Sequence, residues 1–412
     1  MSARDPFGSV DETRLRSGFG VKWGAVSADV IPAWVADMDF GVPGQVIDAL
    51  SRTVASEDFG YPFWPDGDPV VRAFENRMRR HGWDPRPERT RIYTDLIQVL
   101  QVMIEHSTAP GDGIAVQVPA YPPFLATIER SGRRIIPIPA HDDGTEWSFD
   151  MPDLAGHLAS LKCTMLLLVN PHNPTGRVFT RTELVEIATV AEQLDLVVLS
   201  DEIHAELVYA PHRHIPFASL SENAAARTIT ATSATKAFNI AGLRCAVAHV
   251  GPEKVWDALE AEPLDYFGQP SILSRVATVA AWDDSDGWLA GLHARLAGNR
   301  ALITDWAAAS SHGLRYSPPE ATYLAWLDFS AVPISENPAE LLHRVGRVYL
   351  SDGAEFSQHT NVETASFARL NFATSQSVLH EVLDRIDAAL DTVSQDSRDL
   401  RDHGDPVEIV AT

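Results

Sequence analysis

The feature that most constrains the fold is a strand–helix–strand pattern in the middle of the chain. Met165–Val169 is an apolar run typical of a buried strand, and the turn-rich segment Asn170–Gly176 follows it. Thr180-Arg-Thr-Glu183 is a capping box, which predicts the start of a helix, and Leu196–Leu199 predicts the next strand. Strands joined by a crossover helix are parallel and buried on both faces, so the pattern predicts an α/β protein.

Polar side chains follow the predicted strands at the point where each strand ends. Asn173 follows the first strand, Asp201 follows the second, and the group from Ser233 to Lys236 follows a third, β-branched run that opens at Thr228. Ligands of parallel sheets bind beyond the carboxyl ends of the strands. We therefore expect these groups to converge on one edge, provided that the strands share a sheet. Asp201 could instead cap a helix.

The segment from Thr228 to Val250 carries a compact polar cluster between apolar flanks. Ser233, Thr235 and Arg244 suit a phosphate, since arginine offers a planar fork of donors. Lys236 lies among them, and a desolvated lysine near other cations can act as a nucleophile. Pyridoxal phosphate needs both features, a phosphate site and a lysine that forms a Schiff base. A surface lysine beside a turn is the alternative that this segment leaves open.

Three further segments are candidates for binding. A predicted strand, Arg91–Thr94, runs into a predicted helix, Asp95–His106, whose first N–H groups could bind an anion. Tyr121 follows the predicted strand Ile114–Val118 and offers a face for a flat ring, or is a loop aromatic. The segment 59–67 is dense in aromatic residues, proline and glycine, which predicts a rigid loop with either a packing or a recognition role.

The length of 412 residues favours more than one domain. A polar linker near residues 283–290 is predicted to begin a long helix that leads to a second domain, with strands at 321–327 and 368–372 and an amphipathic helix at 377–393. The predicted organisation is a large domain with a parallel-rich central sheet and a smaller α+β C-terminal domain. Its boundaries are 1–40 for an N-terminal segment that joins the small domain, 41–288 for the large domain, 289–393 for the small domain and 394–412 for a disordered acidic tail.

Charge and cysteine content limit the class of partner. With 33 Lys and Arg against 56 Asp and Glu, the formal net charge is −23, which argues against binding of nucleic acid or of an anionic membrane surface. Cys163 and Cys245 lie in apolar runs and are interpreted as buried thiols, not as a disulfide or metal framework. The first ten residues lack an apolar signal core, and no apolar run is long enough to span a membrane. We expect a cytoplasmic protein without a bound metal.

Several ordered motifs together resemble one known family. Asn-Pro-His-Asn-Pro-Thr-Gly (170–176), Ser-Asp-Glu-Ile-His (200–204), the lysine segment 233–244 and Ala-Arg-Leu-Asn-Phe (368–372) resemble the fold-type I pyridoxal-phosphate enzymes. Trp-Val-Ala-Asp-Met-Asp-Phe (34–40) looks like the MalY/PatB branch, the cystathionine β-lyase-like C–S lyases. The resemblance covers about residues 20–390 and implies the fold-type I transferase fold, with pyridoxal 5'-phosphate as cofactor.

The resemblance also implies roles around the cofactor ring. Lys236 would be the Schiff-base lysine and the base that removes the Cα proton. Asp201 would pair with the pyridine nitrogen, Asn173 would donate to the phenolic oxygen, and Tyr121 would stack on the ring. His204 stands where aminotransferases of this fold usually carry a tyrosine, which fits the lyase branch and takes a phenol away from the cofactor.

For the phosphate and the substrate, the resemblance implies contacts at both ends of the site. The phosphate would be held by Ser233, Thr235, Arg244, the backbone N–H groups of Leu96 and Ile97, and Tyr61 of the neighbouring subunit, which requires a homodimer with shared active sites. The substrate α-carboxylate would be clamped by Arg369, with Ala36, Asn173 and Tyr121 as further substrate contacts. Arg369 could instead form a salt bridge between domains. One departure from the family is Asp95, which is tolerable near a phosphate only if its side chain turns away to cap the helix.

The predicted reaction is α,β-elimination from a cystathionine-like L-cysteine S-conjugate, which gives a thiol, pyruvate and ammonia. The alternatives are an aminotransferase on the same scaffold, a specialised biosynthetic lyase for a larger cysteine conjugate, and a non-catalytic regulator that keeps the fold. A regulator would need neither Lys236, Asp201 nor Arg369, so their presence argues against it.

Overall fold

The structure is a computed structural model that describes residues 6–8, 10–144, 146–149, 153–263 and 266–402, with side chains up to residue 393. The strands within these ranges are β1 Ile31–Pro32, β2 Thr90–Tyr93, β3 Gly113–Val118, β4 Arg134–Pro139, β5 His141–Asp142, β6 Trp147–Ser148, β7 Cys163–Val169, β8 Val197–Asp201, β9 Thr228–Thr232, β10 Ala246–Val250, β11 Arg315–Tyr316, β12 Leu324–Asp328, β13 Val348–Tyr349, β14 Ser351–Asp352 and β15 Phe367–Asn371.

The helices within the same ranges are α1 Glu12–Ser17, α2 Val21–Gly24, α3 Gly44–Ala55, α4 Pro69–Arg80, α5 Leu96–Ser107, α6 Pro122–Arg130, α7 Leu154–Ser160, α8 Arg181–Gln193, α9 Glu222–Arg227, α10 Glu253–Glu260, α11 Ile272–Asp284, α12 Asp286–Ala309, α13 Pro338–Arg344 and α14 Gln376–Asp402. Over this part of the chain, no helix has both the length and the apolar character to cross a membrane.

The central sheet has the order β2-β10-β9-β8-β7-β3-β4. Its strands run parallel to one another except β10, which is antiparallel to both of its neighbours. The predicted strand–helix–strand unit is confirmed as β7–α8–β8, with Met165 opposite Val197. The capping box is present in both directions between Thr180 and Glu183. The α/β class predicted from the sequence is therefore confirmed.

Helices cover both faces of this sheet, because its strands are apolar on both sides. In β7, Met165 and Leu167 pack into the core under α5 and α6, while Leu166 and Leu168 pack into the core under α7 and α8. The alternation follows from the period of two residues in a strand. Each face of the sheet is thus buried, and side chains can meet a ligand only at the sheet's ends.

A second, antiparallel sheet has the order β11-β12-β15-β14, and α14 packs near it through the core of the C-terminal part. The N-terminal segment reaches this part of the molecule, since β1 pairs in parallel with β13 and the Asn371 N–H donates to the Ala33 carbonyl at 2.8 Å. Residues 33–40 then pass from the second sheet to the central one, and this crossing brings them to the site described below.

The structure departs from two details of the predicted chain organisation, while the domain boundaries stay a prediction. Residues 283–290 are not a linker, because α11 ends at Asp284 and α12 begins at Asp286, and Asp286 accepts a hydrogen bond from Arg77 at 2.5 Å. The long helix predicted to begin there is α12. Residues 394–402 were expected to be a disordered tail, but the backbone of α14 continues to Asp402, since neither glycine nor proline interrupts the sequence before Gly404. The rest of the predicted tail, 403–412, lies outside the described residues.

Candidate active site

A cavity of about 230 Å³ lies at the carboxyl ends of the central strands, between the central sheet and β15. The sequence-predicted residues that line it are Ala36, Leu96, Ile97, Tyr121, Asn173, Asp201, His204, Ser233, Thr235, Lys236, Arg244 and Arg369. Tyr61 does not line it; its side chain is fully exposed in a separate surface groove with Phe59 and Pro62. The strands that precede these polar groups belong to one sheet, and the groups converge on one edge of it as expected.

Lys236 follows β9 and points its amine at the N-terminal segment. Its Nζ donates to the Ala36 carbonyl at 2.9 Å. Burial lowers the pKa of Lys236, while the negative charges of Asp37 and Asp201 oppose that shift. A lysine amine held in this way is neutral at lower pH than a surface lysine, as proton abstraction requires.

Asp201 ends β8 with its carboxyl group deep in the cavity wall. It accepts the Ile203 N–H at 3.0 Å, and no lysine or arginine among the described residues forms an ion pair with it. Burial raises the pKa of Asp201 to about 7. A buried carboxylate without a counter-charge is costly, so this position suits a cationic N–H donor such as a protonated pyridine nitrogen.

His204 follows Asp201 by three residues and is fully enclosed. Its Nδ1 has no hydrogen-bond partner among the described residues. Burial lowers the pKa of His204 to about 3, and the positive charges of Lys236 and Arg369 act in the same direction. The imidazole is therefore neutral, and it can accept or donate one hydrogen bond to a ligand.

Arg369 projects from β15 into the cavity from the opposite side. It donates to the Asn173 side-chain oxygen at 3.0 Å and to the Trp34 carbonyl at 3.0 Å, and its Nε has no partner among the described residues. Burial lowers the pKa of Arg369 to about 10. Over the described part of the chain, no carboxylate lies within ion-pair distance of it, so a carboxylate ligand would supply the missing counter-charge.

The phosphate-like end of the cavity combines hydroxyls with a helix N-terminus. Ser233 Oγ accepts the Thr235 N–H at 3.1 Å and lies 2.8 Å from Thr235 Oγ1. The predicted strand and helix beside them are confirmed as β2 and α5, and α5 begins at Leu96, so the first N–H groups of that helix, at Leu96 and Ile97, open on this end. Free N–H groups at a helix start favour anions.

Asp95 caps α5, which is the condition under which a carboxylate was expected to be tolerated near a phosphate. Its Oδ1 accepts the Gln98 N–H at 2.9 Å, and its Oδ2 forms an ion pair with Arg244. The carboxylate thus offsets one positive charge at the anion-binding end. Arg244 is held in a left-handed backbone conformation, φ 56°, and its side chain is 62% exposed.

The aromatic predictions divide between the cavity and the surface. Tyr121 follows β3 and forms the wall at the N-terminus of α6, with its ring edge-on to Phe124 at 5.3 Å between centroids. Burial raises the pKa of Tyr121, so its phenol stays protonated. The exposed Tyr61 has no contact with the cavity.

Sequence reasoning missed the residues that hold the segment 34–40 over the cavity. Asn371 donates to two carbonyls, those of Val35 and Asp37, at 2.6 Å each. Tyr323 donates to the Ala36 carbonyl at 3.0 Å. Asn371 lies inside the motif that contains Arg369. Tyr323 lies in a predicted strand and has no local sequence signal of its own, because it is 287 residues away from Ala36 in the sequence and only the fold brings the two together.

The residues present fit pyridoxal phosphate. Asp201 suits the ring nitrogen, the buried Nδ1 of His204 lacks a partner among the described residues, and Lys236 lines the same cavity. The anion-binding end offers two hydroxyls, Arg244 and two N–H groups. No group of His, Cys, Asp or Glu that could hold a metal ion is found in the described ranges.

Comparison with known proteins shows which family and which proteins the chain is similar to. The family described as aminotransferase class I and II matches residues 87–386. The chain is 38% identical to a cystathionine beta-lyase of Corynebacterium glutamicum, over 91% of this chain and 98% of that protein. It is 33% identical to the cystathionine beta-lyase PatB of Bacillus subtilis, over 90% and 96%. A solved structure of a putative PLP-dependent beta-cystathionase from Corynebacterium diphtheriae superposes with a TM-score of 0.84 at 31% identity, over 93% and 99%.

Proposed function

This chain belongs to the aminotransferase class I and II family, and from that premise we propose that it is a pyridoxal-phosphate-dependent carbon–sulfur β-lyase. Its substrate is an L-cysteine S-conjugate of the cystathionine type, and the products are a thiol, pyruvate and ammonia. The observation that carries the proposal is the joining of Lys236, Asp201 and Arg369 in one cavity. They provide a base, an acid that suits a ring cation, and a receptor for a carboxylate.

When bound, pyridoxal phosphate supplies an electron sink for the charge that develops at the substrate Cα. Asp201 would hold the pyridine nitrogen, and Asn173 and His204 would lie beside the ring. Ser233, Thr235 and Arg244 would hold the phosphate together with the N–H groups of Leu96 and Ile97. These roles are supported by the lining of the cavity and by the fit of each group.

Different residues of the chain would bind the substrate, remove its Cα proton and enclose it. Arg369 binds the α-carboxylate through a charge-assisted pair and so fixes the direction of the Cα–H bond. Lys236 Nζ takes the proton from Cα, and burial favours the neutral amine by lowering its pKa. Tyr121 and Phe124 form one wall of the cavity in which the substrate would react.

Incubation of the purified protein with L-cystathionine, without any 2-oxo acid, tests the proposed reaction. We expect pyruvate and a free thiol in equal amounts, because elimination needs no amino acceptor. Lys236→Ala is the matched control and should form neither product. If product appears only when a 2-oxo acid is added, the enzyme is an aminotransferase and the lyase proposal is overturned.

The proposal extends to assembly and location. A homodimer is supported by the exposed aromatic loop, in which Tyr61 and Phe63 are 103% and 84% exposed and lie outside their own subunit's cavity. In the dimer, Tyr61 would reach the partner's phosphate. A cytoplasmic location is supported by Cys163 and Cys245, which are both free thiols.

A further inference from the structure

The segment from Trp34 to Phe40 crosses the cavity without joining a sheet. Several of its backbone carbonyls are hydrogen-bonded by side chains instead of by a neighbouring strand. Asn371 bridges the carbonyls of Val35 and Asp37, which flank Ala36. This bridge holds the backbone on both sides of Ala36 and fixes the direction of the carbonyl between them. The segment was singled out in the sequence only as a motif, and these contacts give it a physical role.

The Ala36 carbonyl accepts two hydrogen bonds inside the site. Lys236 Nζ donates from 2.9 Å and Tyr323 Oη donates from 3.0 Å. Tyr323 is fully buried and does not line the cavity. Its hydroxyl meets the site through this carbonyl, and its ring lies edge-on to His204 at 6.4 Å between centroids. A carbonyl oxygen has two lone pairs, and here both are occupied.

We propose that Tyr323 is a positioning residue for Lys236. By sharing the Ala36 carbonyl, its phenol fixes where the lysine amine rests whenever that amine is not covalently engaged, and it limits how strongly the ammonium form is held there. The proposal builds on the proposed function, in which Lys236 is the base. It adds a residue that does not line the cavity.

The direction of the effect follows from competition for one acceptor. A hydrogen bond that favours the charged form raises the pKa of a lysine, and a second donor on the same oxygen weakens that bond. The phenol thus acts together with burial to keep Lys236 neutral. The other charges that face Lys236 are Asp37 and Asp201, which raise its pKa, and Arg369, which lowers it.

The neutral His204 also lies near Lys236, and the positive lysine helps to keep it neutral. The side chains of all these groups stay in place when the Tyr323 hydroxyl is removed, and the ring that faces His204 is kept. Tyr323→Phe removes the second donor on the Ala36 carbonyl, so we expect the pKa of Lys236 to rise.

A matched control comes from a neighbouring phenol. Tyr209 is buried and its Oη donates to a backbone carbonyl, that of Thr322, at 2.6 Å. Tyr209→Phe likewise removes a phenol hydroxyl, one that binds the residue directly before Tyr323, but it leaves the Ala36 carbonyl with both of its donors. A general loss of packing or stability would affect both variants alike.

The deciding measurement is the pH dependence of Lys236 acetylation in the full chain after removal of the cofactor with hydroxylamine, followed by peptide mass spectrometry. Tyr323→Phe should raise the midpoint by about half a pH unit or more, and Tyr209→Phe should leave it unchanged. Incorporation of 3-fluorotyrosine at position 323 makes the phenol a stronger donor, so it should lower the midpoint. That variant preserves the shape of the side chain and tests the proposal even if Tyr323→Phe fails to fold.

The acid limb of kcat for the holoenzyme should move in the same direction as the acetylation midpoint, with KM changed little. Wild-type midpoints in both position-323 variants, or equal shifts in Tyr209→Phe, would overturn the proposal. A wild-type protein that lacks lyase activity would overturn the proposed function instead, because the acetylation measurement does not depend on turnover.

Discussion

At the scale of single residues, Arg369 is the proposed receptor for the substrate carboxylate. Its guanidinium already donates to Asn173 and Trp34, and its Nε lacks a partner within the described residues. Arg369→Lys keeps the charge but loses the planar fork. We therefore expect kcat/KM to fall roughly 30- to 1000-fold, which corresponds to a loss of about 2–4 kcal/mol of transition-state stabilisation. Cofactor content should stay unchanged. If the wild type turned over the decarboxylated amine analogue as fast as the amino acid, Arg369 would not be a carboxylate clamp.

Asp201 gives a second prediction at this scale, with a defined dependence on pH. Its pKa is raised from 3.8 to about 7, so the folded, cofactor-free protein binds a proton more tightly than the unfolded chain does. The stabilisation of the folded protein by the proton on Asp201 is complete below pH 4 and is lost as the pH rises to about 7. Asp201→Asn removes the buried charge, so at pH 8 it should raise the free energy of unfolding of the cofactor-free protein, by up to on the order of 4 kcal/mol, with no gain at pH 4. Chemical denaturation at both pH values measures this, and an equal effect at the two pH values would contradict it.

At the scale of elements, the sequence was informative wherever a local signal was strong. The sequence predicted the capping box of α8, the strands β7 and β8, and the start of α5 directly after Asp95, since their signals lie within a few residues. The role of Tyr323 could not, because its contact with Ala36 depends on how two sheets meet. Residues 283–290 were predicted as a linker from their polarity, although polar residues at a helix start are stabilising there.

Helix α5 gives the prediction that belongs to this scale. Asp95 both caps the helix and pairs with Arg244. Asp95→Asn keeps a cap and removes the charge, so Arg244 becomes free for the phosphate and we expect several-fold tighter cofactor binding. Asp95→Ala loses the cap as well and should lower the free energy of unfolding by about 1 kcal/mol. Cofactor titration and denaturation of both variants separate the two roles. Weaker binding in Asp95→Asn would show instead that the carboxylate holds Arg244 in place.

At the scale of the whole molecule, the site exists because distant parts of the chain meet. Ile31 pairs with Val348, and Trp34 accepts a hydrogen bond from Arg369, so the N-terminal segment links the second sheet to the cavity. The motifs at 34–40 and 368–372 could be found in the sequence, and the resemblance implied a shared site. Their spacing along the chain says nothing about which carbonyl meets which side chain. That pairing is fixed by long-range packing, which local patterns do not encode.

The assembly gives the last prediction, because Tyr61 is fully exposed and lies outside its own subunit's cavity. In the proposed homodimer, Tyr61→Ala damages the partner's site, while Lys236→Ala damages its own. A hybrid dimer of the two inactive variants then carries one native site, formed by Lys236 of one chain and Tyr61 of the other. Equal mixing with free subunit exchange should restore about a quarter of wild-type activity, since half the dimers are hybrids with one native site of two. Exchange is followed with two differently tagged chains, and mixing of Tyr61→Ala with Tyr61→Ala is the control. If tagged hybrids form and activity does not return, Tyr61 does not serve the partner's site.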